Sequence, residues 1–171
     1  MRRPAARVAV ILAVGLAVAA CSSSSGGSAT PAPSVSAVFA GGTENVQVAG
    51  PVLSFTAPLV TGRLVDDGAM LNVQYINVQG GTLTYTGPGK PGTYKTERTA
   101  DTITSLALVV GVQGAGGDVP YVSFSSIAGE CSVTIVRVDR TGGNATFTCS
   151  NLASSDGKTK TDATGTFDAR P

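Results

Sequence analysis

From Val38 to Pro171, apolar and polar residues alternate over short runs that glycine and proline keep interrupting. Alternation with a period of two, broken by glycine-rich turns, is the signature of half-buried antiparallel strands. The pattern predicts strands over 44–49, 52–57, 70–78, 81–86, 93–98, 102–111, 119–126, 131–138, 144–150 and 163–169. Leu71, Val73 and Tyr75 share one face against Asn72 and Gln74; Leu83 and Tyr85 repeat the pattern, as do Leu106, Leu108 and Val110. Gly80-Gly81, Pro88-Gly89, Gly116-Gly117 and Gly142-Gly143 read as turns. The segment Ile103–Leu108 also fits a helix, which makes 102–111 the least determined strand. Many short strands at this spacing predict an all-β domain, a single antiparallel β-sandwich or small barrel.

The first 20 residues follow a different pattern. Arg2, Arg3 and Arg7 precede an uncharged apolar run from Val8 to Ala20, and Val18-Ala19-Ala20-Cys21 closes it. A basic start, a short apolar stretch and small residues at its end make a cleaved export signal rather than a spanning helix. Val18-Ala19-Ala20-Cys21 resembles the lipobox of bacterial lipoproteins: an aliphatic residue, two small ones, then cysteine. That resemblance implies cleavage before Cys21, a diacylglycerol on its sulfur and a further acyl chain on the new amino group. The alternative is a plain secretory leader cut after Ala20. No twin-arginine continuation follows Arg2-Arg3, so the general export route is expected.

Residues 22–37 are Ser, Gly, Ala, Pro and Thr with almost nothing bulky. Such a segment buries too little apolar surface to offset the entropy of ordering it. The expected organisation is therefore a signal peptide at 1–20, an acylated Cys21 and tether at 21–37, and one β-domain at 38–171. Fully stretched, the tether would span roughly 50 Å at about 3.3 Å per residue. No other stretch approaches the roughly 20 apolar residues of a membrane span. The expected location is the cell envelope, anchored on the outer side of the cytoplasmic membrane. In a Gram-negative cell Ser22, in place of Asp, would instead resemble outer-membrane sorting.

The two remaining cysteines give the most specific structural expectation. Cys131, Val133 and Ile135 alternate onto one face, as do Ala145, Phe147 and Cys149. Folding the chain back near Arg140, with Gly142-Gly143 in the bend, sets Cys131 opposite Cys149, Val133 opposite Phe147 and Ile135 opposite Ala145. A one-residue slip would turn one partner to the other face. The export signal places the pair in an oxidising compartment, so a Cys131–Cys149 disulfide is expected. On the loop-entropy scale it stabilises by roughly 3 kcal/mol. Two buried reduced thiols are the alternative.

Candidate chemistry changes this picture little. The chain has no histidine, which removes the usual near-neutral acid/base and most transition-metal sites. Asp66-Asp67-Gly68 reads as a solvated turn, with a weak Ca²⁺ corner as its functional alternative; Asp156-Gly157-Lys158 is likewise a turn. Glu97, Arg98 and Asp101 read as surface charge, since adjacent strand residues face opposite ways. Gly111–Gly117 lacks the Lys-Ser/Thr end of a phosphate-binding loop. Asn144-Ala145-Thr146 matches a glycosylation sequon but falls inside a strand. Tyr75, Tyr85, Tyr94 and Tyr121 read mainly as core, with an exposed sugar or peptide platform as the alternative. No catalytic, cofactor or metal site is expected. Without Arg2, Arg3 and Arg7, nine of the twelve basic residues face eleven acidic ones, so nothing points to nucleic acid.

The expectation for function is a non-enzymatic cell-envelope lipoprotein, held to the lipid bilayer through Cys21 and available to an envelope protein or polymer partner. Outside the lipobox, the Ser/Gly/Thr/Pro tether and Gly/Thr-rich domain resemble small antigen-type lipoproteins of actinobacteria in composition, a likeness that carries no binding residues. A carrier of a lipid or glycolipid between the sheets is the alternative, and an enzyme the remote third.

Overall fold

The computed structural model describes residues 34–50, 52, 54–77, 80–111 and 121–171. The predicted leader, Cys21, residues 22–33 and the Gly116-Gly117 turn lie outside the described residues. Among the described residues eleven strands follow one another: β1 (Val35–Phe39), β2 (Thr43–Val48), β3 (Phe55–Val65), β4 (Met70–Asn77), β5 (Gly81–Gly87), β6 (Gly92–Arg98), β7 (Ile103–Gly111), β8 (Tyr121–Ser126), β9 (Ala128–Asp139), β10 (Gly142–Ala153) and β11 (Lys160–Ala169). A short 3₁₀ turn at Asp66–Gly68 joins β3 to β4. The all-β prediction holds, and the segment from Ile103 is strand rather than helix.

The strands are hydrogen-bonded in the order β1-β3-β2-β11-β10-β9-β6-β7-β5-β4, and β3 also pairs β4, so the path returns on itself. Every ladder in this ring is antiparallel. β3 makes the closure possible through its length. Phe55–Pro58 pairs β2, while Leu59–Val65 pairs β4 on its other edge and β1 alongside. A bulge at Val60 shifts the register between Leu59 and Thr61, where bulged strands bend. β8 pairs β7 beside this path.

The alternation decides which side chains enter the ring. Leu71, Val73 and Tyr75 of β4 stand opposite Gly87, Tyr85 and Leu83 of β5, all buried, while Asn72, Gln74, Thr84 and Thr86 face outward. Tyr75, Tyr85 and Phe167 meet in the core, with the Phe167 ring centroid 6.0 Å from that of Tyr75 and 5.6 Å from that of Tyr85. Burying a tyrosine requires a partner for its hydroxyl. Tyr75 donates to the Asp168 carbonyl (2.7 Å) and Tyr85 to the Pro88 carbonyl (3.0 Å). Burial pushes both phenols above their ordinary range.

Several boundaries differ from the sequence reading, most of all at the start of the domain. β1 begins at Val35, inside the segment expected to be tether, and the strand expected at 52–57 runs from Phe55 to Val65. Between β1 and β2 the chain turns through Gly42 at φ +135°, where a Cβ would lie 2.1 Å from the Asp168 carbonyl oxygen. Only glycine combines that backbone with so close an approach.

Candidate functional site

The predicted cysteine register is the observed one. Cys131 pairs with Cys149, Val133 with Phe147 and Ile135 with Ala145 across β9 and β10. The two sulfurs are bonded at 1.99 Å. The bend differs in detail: Arg140 and Thr141 form it, and Gly142-Gly143 already belong to β10. Gly142 keeps a positive φ, +135°, as the strand starts.

A buried polar network borders the disulfide. The Cys131 N–H donates to Thr96 Oγ1 and to Ser126 Oγ, each at 3.1 Å, and Thr96 Oγ1 donates back to the Cys131 carbonyl at 3.1 Å. The Thr96 and Ser126 hydroxyls also lie within hydrogen-bond reach of each other, so one of their two protons is shared between two acceptors. Ser126 Oγ donates to Glu130 Oε2 at 2.8 Å, and the Ala128 N–H to the same oxygen at 3.0 Å. Burial alone would raise the Glu130 carboxyl, but these bonds and its own backbone N–H hold it below the usual range. The network ties β6, β8 and β9 together. Ser126 has no access to solvent, so its carboxylate-bonded hydroxyl serves packing rather than attack on a substrate.

The turn at Asp66-Asp67 is where the first described residues are held. Asp66 Oδ1 accepts from the Ser34 backbone N–H (2.7 Å) and hydroxyl (3.0 Å), and the Asp66 N–H returns a bond to the Ser34 carbonyl (2.9 Å). The Asp67 N–H donates to Ser36 Oγ (2.7 Å), while its carboxylate accepts from Arg140 Nη2 (3.0 Å). The Arg140 guanidinium, then the Ser36 hydroxyl, hold the Asp67 carboxyl below its ordinary range. Both aspartates have left-handed backbone, φ +47° and +48°, a conformation Asp tolerates better than most residues. The turn thus fastens the entry of the chain to the barrel rim. Beside it runs an open groove of about 290 Å³, whose lining includes Val65, Asp66, Ala69, Met70, Asp101 and Ile103. Met70 is 40% exposed and Ile103 47%.

The remaining residues singled out from sequence do not converge. Glu97, Arg98 and Asp101 are exposed on and beyond the end of β6. Asp156 forms the predicted turn, its carboxylate accepting from Ser154 Oγ (2.6 Å) and the Lys158 N–H (3.1 Å). Among the tyrosines, Tyr75 and Tyr85 are core, Tyr94 is half-buried and Tyr121 is exposed on β8, so the four form no common platform. Gly111 ends β7, and the rest of the Gly111–Gly117 stretch lies outside the described residues. Asn144 is within β10.

One residue escaped the sequence reading. Glu44 of β2 faces the barrel interior, 1% exposed, between Ala57 of β3 and Phe167 of β11. Among the described residues neither carboxylate oxygen has a hydrogen-bond partner. Burial pushes its carboxyl up to about 8. The signal was present in the strand itself: the phase that sends Val46 inward sends Glu44 inward too.

The space beside Phe167, Ile135, Leu71 and Ala145 holds only about 10 Å³, room for one water molecule at most. Among the described residues no group of three or more Cys, Asp or Glu side chains is placed to hold a metal ion. No protein-family model matches the chain, and neither a curated protein nor a solved structure matches it.

Proposed function

We propose that the chain is a lipid-anchored protein of the cell envelope whose barrel is a non-enzymatic binding or structural module. The observation that carries this reading is the succession of parts. A lipobox-like Val18-Ala19-Ala20-Cys21 precedes twelve residues, 22–33, almost without bulky side chains, and Ser34 is then fastened to the barrel rim by Asp66. A short link pinned to the rim suits a domain that is displayed from a surface. Two or three acyl chains at Cys21 would hold it there, since each buried CH₂ contributes about 0.8 kcal/mol and one chain alone binds marginally. The small space beside Phe167, about 10 Å³, supports display of an outer surface over transport of a ligand inside, because ligand pockets usually offer about 300 Å³ or more.

The test is expression of the full chain in a bacterium that processes lipoproteins. The wild type is expected in the membrane fraction, with an N-terminal peptide that begins at Cys21 and carries the mass of its acyl chains. Cys21→Ala is expected in the soluble envelope fraction with the same folded barrel. An unmodified N-terminus at residue 21 would defeat the anchor. A lipid or glycolipid retained in native mass spectrometry and lost on mild denaturation would favour the carrier instead.

A further inference from the structure

We propose that Glu44 is a protonation-controlled latch on the barrel seam: with its carboxyl neutral, β2 closes the ring between β3 and β11, and loss of the proton releases β2. A carboxylate cannot stay charged in an apolar interior without a partner. Glu44 is 1% exposed and both its oxygens lack one among the described residues.

Among the described residues, the groups packed against it offer no counter-charge. On β3 its neighbour is Ala57, and on β11 it is Phe167. From β4 the Tyr75 hydroxyl faces this region, but its proton is committed to the Asp168 carbonyl, and ionised Glu44 and Asp168 both disfavour its ionisation. The Asp168 side chain is bound to the Thr43 N–H and hydroxyl on one oxygen, with Arg170 Nε 2.8 Å from the other. The Arg170 guanidinium is thus engaged by the Asp168 carboxylate. No other shift-causing charge acts on Glu44, whose carboxyl is moved by burial alone.

β2 is also a strand that can leave. Within the strand it is held by five residue pairs to β11 and four to β3, with backbone bonds from Ala49 to Asp162 and between Gly41 and Arg170 at its ends, whereas β9, β10 and β11 are joined by longer ladders and the disulfide. When β2 moves out, Glu44 reaches water and the edges of β3 and β11 are uncovered, while the disulfide-bearing strands keep their pairing.

Linkage fixes the direction and the pH window. The hydrated carboxyl of the released strand titrates near 4.5 and the buried one near 8. Between these values the released state sheds a proton that the closed state keeps, so release becomes about tenfold more favourable per pH unit. Below the window both states are protonated, and above it both are ionised, so the dependence flattens at either end.

Hydrogen–deuterium exchange on the full chain tests this, with each rate corrected for the intrinsic pH dependence of amide exchange. Protection of β2 and of the β3 and β11 amides facing it is expected to fall about a hundredfold from pH 5 to pH 7. Peptides from β9 and β10 are expected to stay protected across the same range. In Glu44→Gln, whose side chain does not titrate, the β2 protection is expected to be flat. A flat wild-type profile, an equal slope in Glu44→Gln, or a loss spread evenly over β9 and β10 would each overturn the proposal. Should Glu44→Gln fail to fold, infrared titration of the wild type decides. A neutral buried carboxylic acid at pH 6 supports the latch, and its absence there overturns it.

Discussion

Glu44 occupies a position that the alternation of β2 reserves for an apolar side chain, and its effect on stability follows from that. The folded carboxyl titrates near 8 against 4.5 when hydrated. A folded-state pKa raised in this way means that the folded chain holds a proton the unfolded chain has lost. Stability is therefore fully present below about pH 4.5, falls as pH rises toward 8, and levels off above. Over this range the loss is on the order of a few kcal/mol, since one pKa unit corresponds to about 1.4 kcal/mol. Glu44→Leu keeps the side chain's approximate size and removes the group. It is expected to raise stability at pH 8 by about 3 kcal/mol and to leave it nearly unchanged at pH 4. Denaturant unfolding of both proteins at the two pH values checks this. Equal increments at pH 4 and pH 8 would mean that Glu44 does not titrate inside the barrel. The exposed aspartates do not confuse the comparison. Asp67, Asp139 and Asp156 are held below their ordinary range, so their contribution is lost only as pH falls through still lower values.

At the scale of elements, the Asp66 turn decides whether β1 is strand or tether. Val35 and Val38 are exposed and only Phe39 is deeply buried, so β1 has little apolar burial to hold it. Asp66→Gly removes the acceptor for Ser34 while suiting the left-handed backbone, so the change reads the carboxylate and not strain. Exchange protection over Val35–Phe39 is expected to drop about tenfold, equivalent to one or two net hydrogen bonds of about 1 kcal/mol each, with β9 and β10 unchanged. Undiminished protection of β1 would show that its ladder to β3 suffices. This dependence on a distant turn is why β1 was illegible in the sequence: nothing in Val35–Phe39 alternates, and its partner is the distant stretch from Gly62 to Val65. β3 was obscured for another reason. Pro58 and Gly62 resemble strand breakers, and the bulge at Val60 changes the phase, so Phe55, Ala57 and Leu59 face inward, then Gly62 and Leu64. By contrast the β9–β10 register could be read in advance, because three inward pairs and a local bend specify it together. A local pattern predicts local pairing. Ring closure through β3 depends on which strand each edge meets, and the polar Glu44 was legible only to a reader willing to trust the phase of Val46.

At the scale of the whole molecule, the ring joins contacts of very different range. β9 and β10 form a hairpin crosslinked by the disulfide, whereas β2, near the start of the domain, must find β11 at its end. Closing a long loop costs entropy before its contacts form, so such pairing favours late assembly. With the disulfide intact, the hairpin is already restrained in the unfolded chain, and its register is the natural nucleus. Val133 on β9 and Val46 on β2 are both buried without exposure, which makes them matched probes of the two regions. Truncating either to alanine is expected to destabilise by about 2 kcal/mol. The kinetic partition should differ: Val133→Ala slows refolding, while Val46→Ala leaves refolding nearly unchanged and speeds unfolding roughly thirtyfold for that destabilisation. Stopped-flow refolding and unfolding of the oxidised protein at pH 5, where Glu44 is neutral in the barrel, provides both rates. If Val46→Ala instead slows refolding as much as Val133→Ala, the two ends of the chain meet before the transition state, and the β2 seam is part of the nucleus. A seam that closes last in folding is also the one whose release leaves the most structure behind, which ties the order of assembly to the latch at Glu44.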